Sequence, residues 1–166
     1  MVDKIDELYK YIPIELSLDG IIGFALRSEY DSYRFYKAAE NAVSDTAGKE
    51  LLKQLANAER AHVDALQEAF RQYFPEAHTE AVRRIKDGTV GYLSVEKNLL
   101  GLAKMGVVEI ISIAIWEERK AKELYETALA EADDKEMRKL LKSLVKMGEE
   151  HIDILTRYRD KYIEEG

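Results

Sequence analysis

Laid on itself with a shift of 89 residues and no gap, the chain repeats positions that chance does not readily repeat. The shift places Ala25 on Ala114, Glu29 on Glu118, Tyr36 on Tyr125 and Ala39 on Ala128. It also places Leu52 on Leu141, Leu55 on Leu144, His62 on His151, Leu66 on Leu155 and Tyr73 on Tyr162. Leucine matches are expected in any helix-rich protein, whereas a Glu and a His recurring at one offset are not. A fold for this chain has to contain one unit twice.

That unit reads as a pair of helices. Four segments carry apolar residues at helical spacing, the first from about Leu18 to Val43 behind Ser17 as N-cap. Its stripe is Leu18, Ile22, Ala25, Glu29, Ser32, Tyr36, Ala39, Val43. The second segment, about Thr46 to Tyr73, has Leu52, Leu55, Glu59, His62, Leu66, Ala69 and Tyr73 on one face. The third, about Val107 to Glu131, has Val107, Ile111, Ala114, Glu118, Ala121, Tyr125 and Ala128. The fourth, about Asp134 to Ile163, has Met137, Leu141, Leu144, Gly148, His151, Leu155, Tyr158 and Tyr162. Two Pro in 166 residues leave these helices uninterrupted. Each is about 40 Å long at 1.5 Å per residue, with a single apolar face, which suits an all-α four-helix bundle.

Connections set the topology. Tight turns near Ser44–Asp45 and Ala132–Asp133 make each pair an antiparallel hairpin. The crossover from Phe74 to Gly106 is 33 residues long and contains Pro75, Gly88, Gly91 and Gly101. It is expected to hold short helices and to run the length of the bundle, making the second and third helices parallel. Residues 1–16, broken at Pro13, are expected to form an N-terminal extension with a short helix, packed on a bundle of residues 17–166 or on a partner chain.

Composition excludes several chemistries. With no Cys there is no disulfide, thiolate nucleophile, zinc ribbon or iron–sulfur cluster. Lys plus Arg is 25 and Asp plus Glu is 32, a net charge of −7, which disfavours nucleic acid and anionic membrane surfaces as partners. The longest uncharged stretch is eight residues, Gly88 to Val95, against the roughly 20 a membrane span needs. Charges throughout residues 1–20 argue against a signal peptide, and the expected location is the cytoplasm.

Function enters through the polar residues inside the apolar stripes. Ionisable side chains are rarely buried unless paired or bound to metal. Glu29, Glu59, His62, Glu118 and His151 all fall on stripes, at similar distances from the two tight turns, and hence at one height near mid-bundle. Glu59 and His62 are three residues apart on one helical face. A Glu from each of two helices and Glu-x-x-His from the other two is the di-metal arrangement of ferritin-like bundles. The alternative is a metal-free core in which these His and Glu residues pair with one another.

The sequence resembles the rubrerythrin branch of the ferritin-like superfamily. The carrying residues are Glu29-x5-Phe35-Tyr36-x2-Ala39 and Leu55-Ala56-x2-Glu59-x2-His62-x3-Leu66 in the first hairpin. In the second they are Ala114-x3-Glu118-x5-Leu124-Tyr125 and His151-x3-Leu155, so that the resemblance covers about residues 17 to 162. It implies a ferritin-like four-helix bundle, usually a homodimer, reducing peroxide or dioxygen. The implied cofactor is a pair of iron ions, with manganese or zinc as alternatives. By position, Glu29 and Glu118 resemble terminal ligands, Glu59 a bridging ligand, and His62 and His151 one nitrogen ligand for each metal. A ferritin-like role in iron binding without peroxide turnover is the alternative within the same superfamily.

Two departures bear on that expectation. Rubrerythrins proper carry a Cys-ligated iron module after the bundle; without Cys, electrons are expected from a separate donor such as a rubredoxin-like protein. Under the internal repeat, the position matching Glu59 is Gly148, so a second bridging carboxylate is missing. Two divalent ions carry +4, and three carboxylates leave +1. Gly148 in mid-helix serves either close helix packing or open space beside the metals. Tyr36 and Tyr125 are expected in the core and His78 in solvent; Lys122, one turn after Glu118, is expected at the surface, with pairing to Glu118 as the alternative.

Overall fold

Capping side chains mark where the helices begin. The computed structural model describes residues 17–87 and 105–165. Ser17 Oγ accepts the Gly20 amide at 3.2 Å and opens α1 (Leu18–Ala42). Asp45 Oδ2 accepts the Gly48 amide at 2.6 Å and opens α2 (Thr46–Tyr73). Pro75 occupies the first position of α3 (Pro75–Lys86), where its missing N–H leaves no helical bond unmade. Glu109 reaches back to the Gly106 amide at 2.8 Å at the start of α4 (Val107–Glu131). Asp134 Oδ1 accepts the Met137 amide at 2.8 Å ahead of α5 (Lys135–Glu165). Among the described residues there is no strand, and no helix is long and apolar enough to cross a membrane.

The helices pair as the repeat requires. α1 packs on α2, α4 packs on α5, and α1 and α4 meet between the two hairpins. Arg138 closes the second turn by donating to the carbonyls of Leu129 and Ala132, both at 2.8 Å, which lack helical partners. At the other end of the bundle a Cβ on Gly48 would collide with the Val107 side chain. The starts of α2 and α4 are therefore neighbours, and the two helices run parallel. Helix α3, the described part of the crossover, lies against α1 and α2. The expected N-terminal extension, and the part of the crossover numbered 88–104, lie outside the described residues.

Among the described residues, most buried apolar side chains fall into two clusters along the bundle axis. One holds Phe24, Phe70, Tyr125, Met137, Leu141 and Leu144, with Ala81 of α3, and the Tyr125 ring meets Phe24 edge-on at 5.6 Å. The other holds Tyr36, Leu52, Leu55, Ile110, Ile111 and Leu155. On every long helix a residue of the polar set lies between the two clusters, so Glu29, Glu59, His62, Glu118 and His151 form a belt at the waist.

Three expectations of solvent contact are corrected. Tyr73, placed on the inward stripe, is 70% exposed, and Phe70 is buried instead. Tyr158 is likewise exposed. A strict seven-residue pattern drifts about 20° per heptad on a straight helix, so a stripe projected over three heptads leaves the core at its end. His78 is half-buried, with its Nε2 shielded from solvent and unpartnered among the described residues. It lies in the first turn of α3, the helix that packs over the first hairpin.

Candidate metal centre

Each polar residue of the belt is delivered by the middle of a long helix. Glu29 comes from α1, Glu59 and His62 from successive turns of α2, Glu118 from α4 and His151 from α5. Four of the five form a knot: Glu29, Glu59, His62 and His151 each offer a donor atom within 4.8 Å of the other three. Glu118 stands beside the knot, with its Oε1 3.2 Å from His151 Nδ1. The His62 and His151 rings stack at 4.5 Å and 15°, joining α2 to α5 across the bundle.

The two hairpins treat their polar groups differently. In the first, His62 Nδ1 is 3.5 Å from Glu59 Oε2 and 3.7 Å from Glu29 Oε2. Those separations allow charge attraction but exceed a well-formed hydrogen bond. All three atoms are shielded from solvent without a hydrogen-bond partner among the described residues, and Glu29 and Glu59 are only 4% and 5% exposed. Leaving a buried polar group unpaired costs about 1–3 kcal/mol, and more for a charged one. In the second hairpin the His151–Glu118 contact satisfies both side chains directly.

Burial and mutual charge set the protonation of the metal-free cluster. Burial pushes the Glu29 carboxyl well above the ordinary carboxylate range, and the charges of Glu59 and Glu118 push it the same way. Burial acts to raise Glu59 too, but the contact with His62 and the charge of His151 outweigh it and hold that carboxyl below its ordinary value. Burial acts to lower His151, yet Glu118, through its hydrogen bond and its charge, raises it. Tyr36 lies in the core beside the belt, and burial, followed by the charges of Glu59, Glu118 and Glu29, keeps its phenol protonated. Two buried carboxylates with unlike protonation, and an imidazole facing them, can exchange protons for a cation.

The donor set fits such a cation. Carboxylate oxygens with imidazole nitrogens form a mixed oxygen and nitrogen set that iron, manganese and zinc accept. The unpartnered Glu29, Glu59 and His62 atoms are those a cation would satisfy.

Gly148 is explained by packing. A Cβ there would lie 3.3 Å from Lys122 Cβ, closer than side chains ordinarily approach, so glycine lets α4 and α5 close together at the waist. Lys122 turns its amine outward, 2.9 Å from Glu126 and 3.8 Å from Glu149. It is no partner for Glu118, and the surface reading of Lys122 holds.

One buried carboxylate escaped the stripe analysis. Asp31 is 4% exposed and pairs with Arg27 at 3.3 Å. Burial raises its carboxyl, opposed by Arg27 and Arg34. Two residues beyond Glu29, it faces away from the cluster at 100° per residue. Its only sequence signal was the Arg27–Asp31 spacing of four, which is ordinary on exposed helices.

A four-helix bundle made of duplicated hairpins, with carboxylates and imidazoles turned inward at its waist, is a ferritin-like helical bundle with a Glu/His cluster of metal-ligating chemistry. The family model described as Rubrerythrin matches residues 20–158, and the chain belongs to the rubrerythrin family. Comparison with curated proteins and with solved structures returns no match.

Proposed function

We propose that this protein is a rubrerythrin-type, metal-dependent oxidoreductase that reduces peroxide or dioxygen at a non-haem site, with electrons from a separate donor. The observation that carries the reading is the set of unpartnered buried atoms on Glu29, Glu59 and His62, beside His151, in a chain of this family. Bound iron or manganese would supply the change of redox state. Glu29, Glu59, His62 and His151 would hold the ion, and Glu118 would fix the His151 ring through Nδ1. Tyr36, kept protonated, offers a proton-bearing hydroxyl near the carboxylates. The apolar clusters flank the belt on both sides along the bundle axis, and His62 forms its solvent-facing edge.

The same reading extends to a cytoplasmic homodimer served by a rubredoxin-like donor, with no nucleic-acid or membrane partner. The acidic charge of −7 supports the last part. The test is anaerobic peroxide consumption by iron-loaded protein, with the reductant supplied in limiting amount. Each peroxide reduced to two waters takes two electrons and two protons, so peroxide loss should track reductant and vanish in Glu59→Ala.

One observation favours iron binding without turnover as a second reading. The His62 side chain is 39% exposed, so the cluster has a donor at the surface through which an ion can be exchanged. Stoichiometric iron uptake with no peroxide loss would favour this reading over the first.

A further inference from the structure

The cluster is lopsided in a way that bears on how many ions it holds. Its donors come three from the first hairpin (Glu29, Glu59, His62) and one from the second (His151), all within 4.8 Å of one another. A knot of that size surrounds one position. The second hairpin contributes no carboxylate to it: Glu118 is engaged with His151 Nδ1 at 3.2 Å, and Gly148 has no side chain to offer. Nor is the Gly148 corner open, since the Lys122 stem lies 3.3 Å from where a Cβ would be.

Charge leads to the same count. One divalent cation against Glu29 and Glu59 is neutral. Two would bring +4 against Glu29, Glu59 and Glu118, leaving +1 in a belt flanked by apolar clusters, with the Lys122 stem against the corner where a fourth carboxylate would have to enter. An unbalanced charge in such surroundings is disfavoured, because a low-dielectric interior does not solvate it. We propose that the site takes a single divalent cation, held by Glu29, Glu59, His62 and His151, with Glu118 acting as a positioning residue that orients the His151 imidazole. A carboxylate hydrogen-bonded to one nitrogen of an imidazole fixes the ring and strengthens it as a ligand. This inference rests on the reading of the cluster as a metal site, but differs from the pair of ions the family resemblance implies.

The experiment is a titration of chelator-treated, full-length protein with Co2+, followed by absorbance and calorimetry. Helical circular dichroism confirms that each variant is folded. Saturation at one equivalent per chain is expected. Glu59→Ala should weaken binding by more than about tenfold. Glu118→Gln should still bind one equivalent, about 10–100-fold more weakly, as measured for other residues that support a metal ligand, with the Co2+ band positions retained. Saturation at two equivalents, with one lost in Glu118→Gln, would overturn the single-ion assignment and leave the metal-site reading standing. One equivalent with altered band positions in Glu118→Gln would make Glu118 a ligand and overturn its positioning role. No Co2+ bound beyond what folded Glu59→Ala retains would overturn both the count and the metal-site reading.

Discussion

The two hairpins descend from one pattern and are built alike where they are apolar, yet they differ where they are polar. Leu52 and its counterpart Leu141 are both fully buried, and Leu55 and Leu144 are both in the core. At the waist the likeness ends. The first hairpin keeps Glu29, Glu59 and His62 with buried atoms unpartnered. The second has lost one carboxylate to Gly148 and satisfies the remaining two groups against each other at 3.2 Å. Even the neighbours have diverged: Arg60 lies over the Tyr33 ring at 5.9 Å, and the matching pair Glu149 and Lys122 is an ion pair at 3.8 Å. Packing tolerates duplication because both copies need the same apolar volume. The polar site is not duplicated in the same way: the second copy gives it one donor, His151, and holds that ring with Glu118.

The comparison can be broken most forcefully in the core. Leu52→Ala and Leu141→Ala should each lower unfolding free energy by about 2–5 kcal/mol, by nearly equal amounts, in chemical denaturation. A large difference between them would show that the hairpins are not equivalent even as packing units. Polar substitutions should divide the hairpins instead. Glu59→Ala should lose metal by more than about tenfold in elemental analysis, whereas Glu149→Ala, exposed on the other hairpin, should retain it. Equal retention would remove Glu59 from the site.

Protonation provides a third comparison. The raised Glu29 carboxyl contributes stability that is full below its ordinary value of 4.5 and is lost as pH rises through the raised value. The raised His151 contributes stability that is full below 6.5 and is lost as pH rises through its own raised value. Glu59, lowered, acts oppositely: its contribution is present above 4.5 and fades as pH falls. Metal-free protein should therefore melt highest at mildly acid pH, between the ordinary Glu and His values, and progressively less high as pH rises through the raised values, a decline that Glu29→Gln reduces. Metal affinity should move the other way, rising with pH, because the ligands must release protons. The smallest effect concerns Gly148→Ala. A helix-propensity gain of about 1 kcal/mol is opposed by the contact with Lys122 Cβ, so stability should change by less than about 1 kcal/mol. A loss of several kcal/mol would mean that α4 and α5 cannot part by even a few tenths of an ångström.

Helix extents were largely legible because their determinants are local. Thr46–Tyr73 and Val107–Glu131 follow from stripes bounded by caps and turns, and the structure agrees with both. The convergence of Glu29, Glu59, His62, Glu118 and His151 was legible because polar residues interrupted apolar stripes at one height. Which group faces which was not. The choice of Glu118 to engage His151 rather than join the knot depends on how side chains from different helices meet, and no spacing within one helix encodes that. Asp31 was not legible because it lies two residues from Glu29, about 200° around α1 from the inward stripe, where spacing predicts exposure. Tyr73 was misplaced because a heptad extrapolated to a helix end accumulates rotation.

The polar belt also has a consequence for the order of assembly. Contacts inside each hairpin link residues close in the chain, whereas the contacts joining the hairpins span long separations: Tyr162 donates to Asp45 at 2.6 Å across 117 residues. Loop closure makes such contacts late and slow to form, so the hairpins can form first and dock afterwards. Three of the four knot donors belong to one hairpin and His151 to the other, so the knot is complete only once docking has occurred. A cation that binds the docked form alone shifts that equilibrium by mass action, by about 2.7 kcal/mol at a hundred times its dissociation constant. Free metal concentration then becomes a control on how often the two halves of the molecule come apart.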